Sequence, residues 1–144
     1  RGFRAKKEEV VRLSWILATA AYCAFIFWLS SGPIPVPKAV SFVGLDKLAH
    51  AGAYGLLALL VWTGMARSGR GHAARRMFWT AALFATLYGA TDELHQYFVP
   101  TRTFDPADWL ADAVDAFAAA GVARWFRLRG WFPFRPEPKP FAGD

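Results

Sequence analysis

Four stretches of about twenty residues, each largely apolar, occupy most of the chain, and each has the length needed to cross a membrane as a helix. Val10 to Ser31 holds one charge, Arg12, near its start. Leu48 to Ala66 holds none apart from His50, which can be neutral. Met77 to Val99 is apolar until Asp92, and Trp109 to Phe126 is apolar but for Asp112, Asp115 and Arg124. This pattern predicts an all-α polytopic membrane protein with four transmembrane helices, at 8–31, 46–66, 73–98 and 106–128. Of 144 residues, 55% are hydrophobic and 19% charged, so the spans leave no room for a soluble domain. The expected organisation is one four-helix domain over 1–130 and a cytoplasmic tail, WFPFRPEPKPFAGD, over 131–144.

The N-terminus, RGFRAKKEEV before an oily run, also has the outline of a signal peptide. The run is too long for one, is rich in Trp, Tyr and Phe, and ends in SSGPIPVP where a cleavage site would need small-x-small. Cys23, alone and in mid-span, reads as a small apolar filler. The seven tryptophans fall mostly near span ends, as an interfacial belt would place them.

Orientation follows from the bases. Arg1, Arg4, Lys6, Lys7 and Arg12 precede the first span; Arg67, Arg70, Arg75 and Arg76 fill the middle connection; Arg124, Arg127, Arg129, Arg135 and Lys139 lie in the tail region. These are 14 of the 17, leaving Lys38, Lys47 and Arg102 on the other side, so both termini are expected in the cytoplasm. The net charge of +6 is thereby a topology signal, and no binding motif accompanies it to suggest nucleic acid as a partner. The acids sort the opposite way. Asp46, Asp92, Glu93, Asp105, Asp108, Asp112 and Asp115 fall on or below the outer face, against Glu8, Glu9, Glu137 and Asp144 inside.

Some of these acids are deep. At about 1.5 Å per residue from Pro106, Asp112 lies about 9 Å and Asp115 about 13 Å along the fourth helix. Spacing gathers them into stripes: Asp46 and His50 at i, i+4 with Tyr54 a turn further, Asp92 and Gln96 at i, i+4 with Glu93 beside them, and Asp108, Asp112 and Asp115 at i, i+4, i+7. Lipid cannot satisfy such groups. The stripes are therefore expected to face one another around a small, wet, outward-facing cavity.

The segments DKLAHAGAYGLLAL (46–59) and DELHQYFVPTRTFDPADWLADAV (92–114) resemble the VanZ-like family, small four-helix membrane proteins related to a teicoplanin resistance factor. The resemblance rests on Asp-Lys-x-x-His-x-x-x-Tyr, Asp-Glu-x-x-Gln, Pro-x-Arg and Asp-x-x-x-Asp, and covers roughly 45–122. It implies a multi-pass protein of the bacterial cytoplasmic membrane with an envelope-associated role, and gives weight to Asp46, Lys47, His50, Tyr54, Asp92, Glu93, Gln96, Arg102, Asp108 and Asp112. Many relatives carry Asn at the position of Asp112 and Gly at that of Asp115, where a small residue lets helices approach closely. Asp115 is expected to be received by a local partner and to donate a hydrogen bond to a neighbouring helix or an enclosed water.

Ordinary roles stand beside these. Asp105, Pro106 and Asp108 have the pattern of an N-cap, N1 and N3, and Asp46 also lies at a helix start. His50 can pin two helices by a hydrogen bond, and Arg102 can neutralise the acids or bind an anion. Three function classes remain. In the first, His50, Asp92 and Glu93 do acid-base work on an envelope lipid headgroup or cell-wall precursor held by Asp46, Lys47, Tyr54, Gln96, Arg102, Asp108 and Asp112. In the second the chain is an accessory or scaffold subunit of a larger membrane assembly. Conduction ranks third, because no titratable relay continues through the cytoplasmic halves of helices two and three. No cofactor is expected, and no metal: His95 and Asp92 are three apart on a helix whose inward face Asp92 and Gln96 already occupy, and there is no HExxH.

Overall fold

The computed structural model describes residues 2–32, 45–100, 102 and 105–131, with the side chains of Arg4 and of 45–51 outside that description. The described residues form four helices and no strand: α1 (Gly2–Ser30), α2 (Leu45–Arg67), α3 (Ala74–Tyr97) and α4 (Pro106–Leu128). These match the four apolar stretches closely. The proline-rich outer connection expected over 32–45 and the tail lie mostly outside the described residues.

The helix ends are built by local chemistry. Asp105 caps α4, its Oδ1 accepting from the Ala107 N–H at 2.9 Å, with Pro106 in the first helical turn and Asp108 close behind. At the other end Gly130, at φ 67°, closes a Schellman motif: the Gly130 N–H donates to Arg127 O and the Trp131 N–H to Phe126 O. After α2, the Ser68 hydroxyl and N–H both return to Met65 O, and Gly69 and Gly71 in the left-handed region turn the chain into α3.

α4 packs most extensively on α2 and α3, while α1 leans on α2 and barely reaches α3. Small side chains permit the close seams. α4 buries Asp112, Ala116, Ala120 and Ala123, and α3 buries Met77, Ala81, Ala82, Ala85 and Gly89 before its polar end. A side chain at Gly89 would press on Tyr54 and Trp109, so α3 needs a glycine there for these two rings to lie against its backbone. Among the described side chains of α1, only Ile26 and Ser30 are buried.

Large apolar side chains point outward instead. Leu13, Ile16 and Leu17 of α1, Leu83 and Leu87 of α3, and Leu110, Val114 and Val122 of α4 are all exposed. Among the described residues one helix, Ala5–Ser30, is long and apolar enough to cross a membrane by length and composition. α3 and α4 carry charges of the acid cluster or of the arginine-rich ends within their apolar runs, whereas residues 48–66 of α2 hold none. One tryptophan departs from the belt expected of it. Trp62 is fully buried against the alanine seam, and its indole N–H has no partner.

Candidate functional site

Asp92 is the hub of the polar end. Its Oδ2 accepts from Ser30 Oγ at 2.7 Å, Tyr54 OH at 2.9 Å and Gln96 Nε2 at 3.0 Å, so one oxygen ties α1, α2 and α3 together. Oδ1 of the same carboxylate is buried without a partner. Tyr54, Asp92, Glu93 and Gln96 are all at most 4% exposed, so Tyr54 of α2 and the stripe on α3 face inward as their spacing predicts.

α4 completes the cluster. Asp112 is 1% exposed, and among the described residues neither of its carboxylate oxygens has a hydrogen-bond partner. Its electrostatic neighbours are Glu93, Asp108, Asp92 and Asp115, all acidic. Glu93 accepts from the Asp105 N–H at 3.3 Å, which fixes the entry into α4 over the cluster. Buried carboxylates gathered this way require an accompanying proton or cation, or donors from a bound molecule. Asp46, Lys47 and His50 stand on the first turns of α2 beside this end, and their side chains lie outside the described residues.

Arg102 reaches the end of α1. Its Nη2 donates to Leu29 O at 2.8 Å, satisfying a carbonyl at the C-terminal end of α1, and its Nε is buried without a partner. Among the described residues it makes no ion pair. His95 turns away from the cluster to α1, with Nε2 3.1 Å from Ser31 Oγ and its ring 4.3 Å from that of Phe27.

Asp115 has a partner on the neighbouring helix. Its Oδ2 accepts from the Gly55 N–H of α2 at 2.7 Å. The small residue that lets these helices approach is on the opposite helix: a Cβ on Gly55 would collide with the Asp115 carboxylate. Close packing at this seam therefore depends on Gly55.

Sequence reasoning missed Ser30 and Gly55. Ser30 was signalled by a pair of hydroxyls, Ser30-Ser31, at the same depth as the acids. Gly55 was signalled only by its place one residue after Tyr54.

The fold and site define an all-α bundle with a buried, carboxylate-rich polar end joined through one aspartate. The chain matches the family model described as VanZ/LLP1 over residues 7–127, and it belongs to the VanZ-like family. The match takes in α1 as well as the three helices that carry the motifs. No curated protein and no solved structure matches the chain.

Proposed function

We propose that this protein spans the bacterial cytoplasmic membrane four times, with both termini inside, and uses its carboxylate-rich end to bind the headgroup of an envelope lipid or cell-wall precursor. Inverted polarity supports the membrane reading: Asp92, Glu93, Gln96 and Asp112 are inside while Leu87, Leu110 and Val114 are at least 60% exposed. In water that surface would aggregate. In lipid it is solvated, and the buried polar groups are the exceptional ones.

The observation that carries the binding reading is Asp112, whose two oxygens are both buried and unpartnered. Together with Asp92 Oδ1 it offers acceptors and no donors, which complements hydroxyl or ammonium groups. The part of the ligand reaching these acids is thus a donor-bearing one, a sugar or an amine, while Arg102, and Lys47 from the first turn of α2, are the bases available for an attached phosphate. His50 with Asp92 or Glu93 is the acid-base set available for chemistry on that ligand. Native mass spectrometry of protein extracted from its own membrane tests the reading. A polar lipid of defined mass should accompany the wild type and be lost from Asp112→Ala, which still folds. Identical adducts on both, or recovery in a stable complex with other chains that Asp112→Ala leaves intact, would favour the accessory-subunit reading instead.

A further inference from the structure

At the end opposite the acid cluster, α1 leaves a groove against α2 and α3 of about 430 Å³. Its walls include Trp15, Ile16, Ala20, Val61, Met65 and Phe84, and its mouth includes Arg12, Arg70 and His72. The groove exists because α1 packs on α2 but barely on α3, and because Gly64 of α2 meets the Trp15 side chain without a Cβ of its own. The mouth is strongly cationic. Arg70, Arg76 and Arg127 all act electrostatically on His72, and partial burial together with these three guanidinium groups holds its imidazole below the ordinary histidine range. Carboxylates are represented at this end by Glu8, which lies against Gly69, and by exposed Glu9.

We propose that this groove is a site for one anionic phospholipid, with its phosphate among Arg12, Arg70, Arg76 and His72 and an acyl chain along the apolar wall. The inference rests on the membrane reading above and is independent of what the acid cluster binds. Charge complementarity selects the occupant. An apolar channel alone would take any lipid tail, but clustered guanidinium groups favour a headgroup with net negative charge. The fourteen-base side of the chain is the side the positive-inside rule assigns to the cytoplasm, so the occupant comes from the inner leaflet. The site would also fill the gap that loose packing of α1 leaves, joining α1 to the rest of the bundle through lipid.

The test uses the full chain in phosphatidylcholine nanodiscs doped with phosphatidylglycerol, with retained lipid counted by native mass spectrometry. Wild type should keep one phosphatidylglycerol in preference to phosphatidylcholine. Arg70→Gln/Arg76→Gln should weaken retention about tenfold or more, from the loss of two bases near the headgroup. Ala20→Phe, which fills the groove and leaves the bases in place, should weaken it comparably. Arg129→Gln, a charge removed from α4 beside Trp125, should change it little. In the wild type, phosphatidylglycerol should raise the His72 titration midpoint read by NMR. Equal retention of the two lipids, indifference to Ala20→Phe, an Arg129→Gln effect as large as that of the double variant, or a lipid-free dimer burying the groove would each overturn the proposal. Flotation with vesicles separates the two readings: a chain that does not float refutes the membrane reading and the lipid site with it, whereas one that floats without retaining phosphatidylglycerol refutes the site alone.

Discussion

The two ends of the bundle solve the same packing problem with opposite materials. At the α1 C-terminal end the interior is Asp92, Glu93, Gln96, Tyr54 and Asp112, and hydrogen bonds from Ser30, Tyr54 and Gln96 converge on the Asp92 carboxylate. At the other end the interior is Leu57, Trp62, Met77 and the α4 alanines, and the charges are arginines at the periphery. α3 makes the change within a single helix, from Ala81, Ala82 and Ala85 to Asp92, Glu93 and Gln96 on one face. Polar interiors are costly wherever water is excluded. A chain that could have carried alanine through to the end and does not has a use for the polar half, and Asp92 and Asp112 are where structure and use separate.

The comparison breaks most visibly at Asp92. Asp92→Ala leaves Ser30, Tyr54 and Gln96 donors buried and unpaired, and should destabilise the bundle by about 3 kcal/mol or more. Asp92→Asn should lie between, because its carbonyl keeps an acceptor while its NH2 adds donors among donors. Thermal unfolding in one fixed detergent or lipid measures both. A loss under about 1 kcal/mol for Asp92→Ala would remove the hub from the account.

A somewhat smaller effect belongs to the seam between the ends. Gly55→Ala drives a methyl group into the Asp115 carboxylate and should cost about 1 to 3 kcal/mol. Adding Asp115→Gly removes the obstacle and should recover most of that loss, a coupling that a double-mutant cycle reads directly. Asp115→Asn keeps a side-chain acceptor for the Gly55 N–H and should be nearly neutral, whereas Asp115→Leu removes that interhelical bond and puts a bulkier apolar group against Gly55, and should cost about 1 to 3 kcal/mol. Equal losses for Asn and Leu would show that the hydrogen bond is not what holds Asp115 in place.

Asp112 should behave in the opposite sense to Asp92. Its carboxylate is buried and unpartnered, so Asp112→Ala should leave stability unchanged or raise it by about 1 kcal/mol, while abolishing retention of the polar lipid. If it destabilises as Asp92→Ala does, Asp112 is part of the frame and the binding reading loses its main support.

Much of this arrangement was legible in the sequence, because each helix announces itself by an apolar run and α4 by Asp105-Pro106. Polar stripes at i, i+4 spacing reported correctly that Tyr54, Asp92, Gln96 and Asp112 turn inward. Spacing says which face a residue occupies and nothing of which atom it reaches. Arg102 read as able to neutralise the acids or bind an anion, and nothing in its spacing showed that its long side chain bonds the Leu29 carbonyl of α1. Asp115 read as an acid with a local partner, but the identity of that partner, a glycine sixty residues away in sequence, is a property of the pair. Trp62 read as a belt residue because proximity to a helix end does not reveal which side of the helix is covered.

Everything above depends on the bundle lying across a membrane with its acid end outside, and cysteine accessibility tests that most directly. In a Cys23→Ser background, single cysteines at Ser41 and at Arg70 are treated with a membrane-impermeant maleimide on intact spheroplasts. The account predicts labelling at position 41 from outside and at position 70 only after the membrane is opened. Labelling of position 70 in sealed spheroplasts would contradict it.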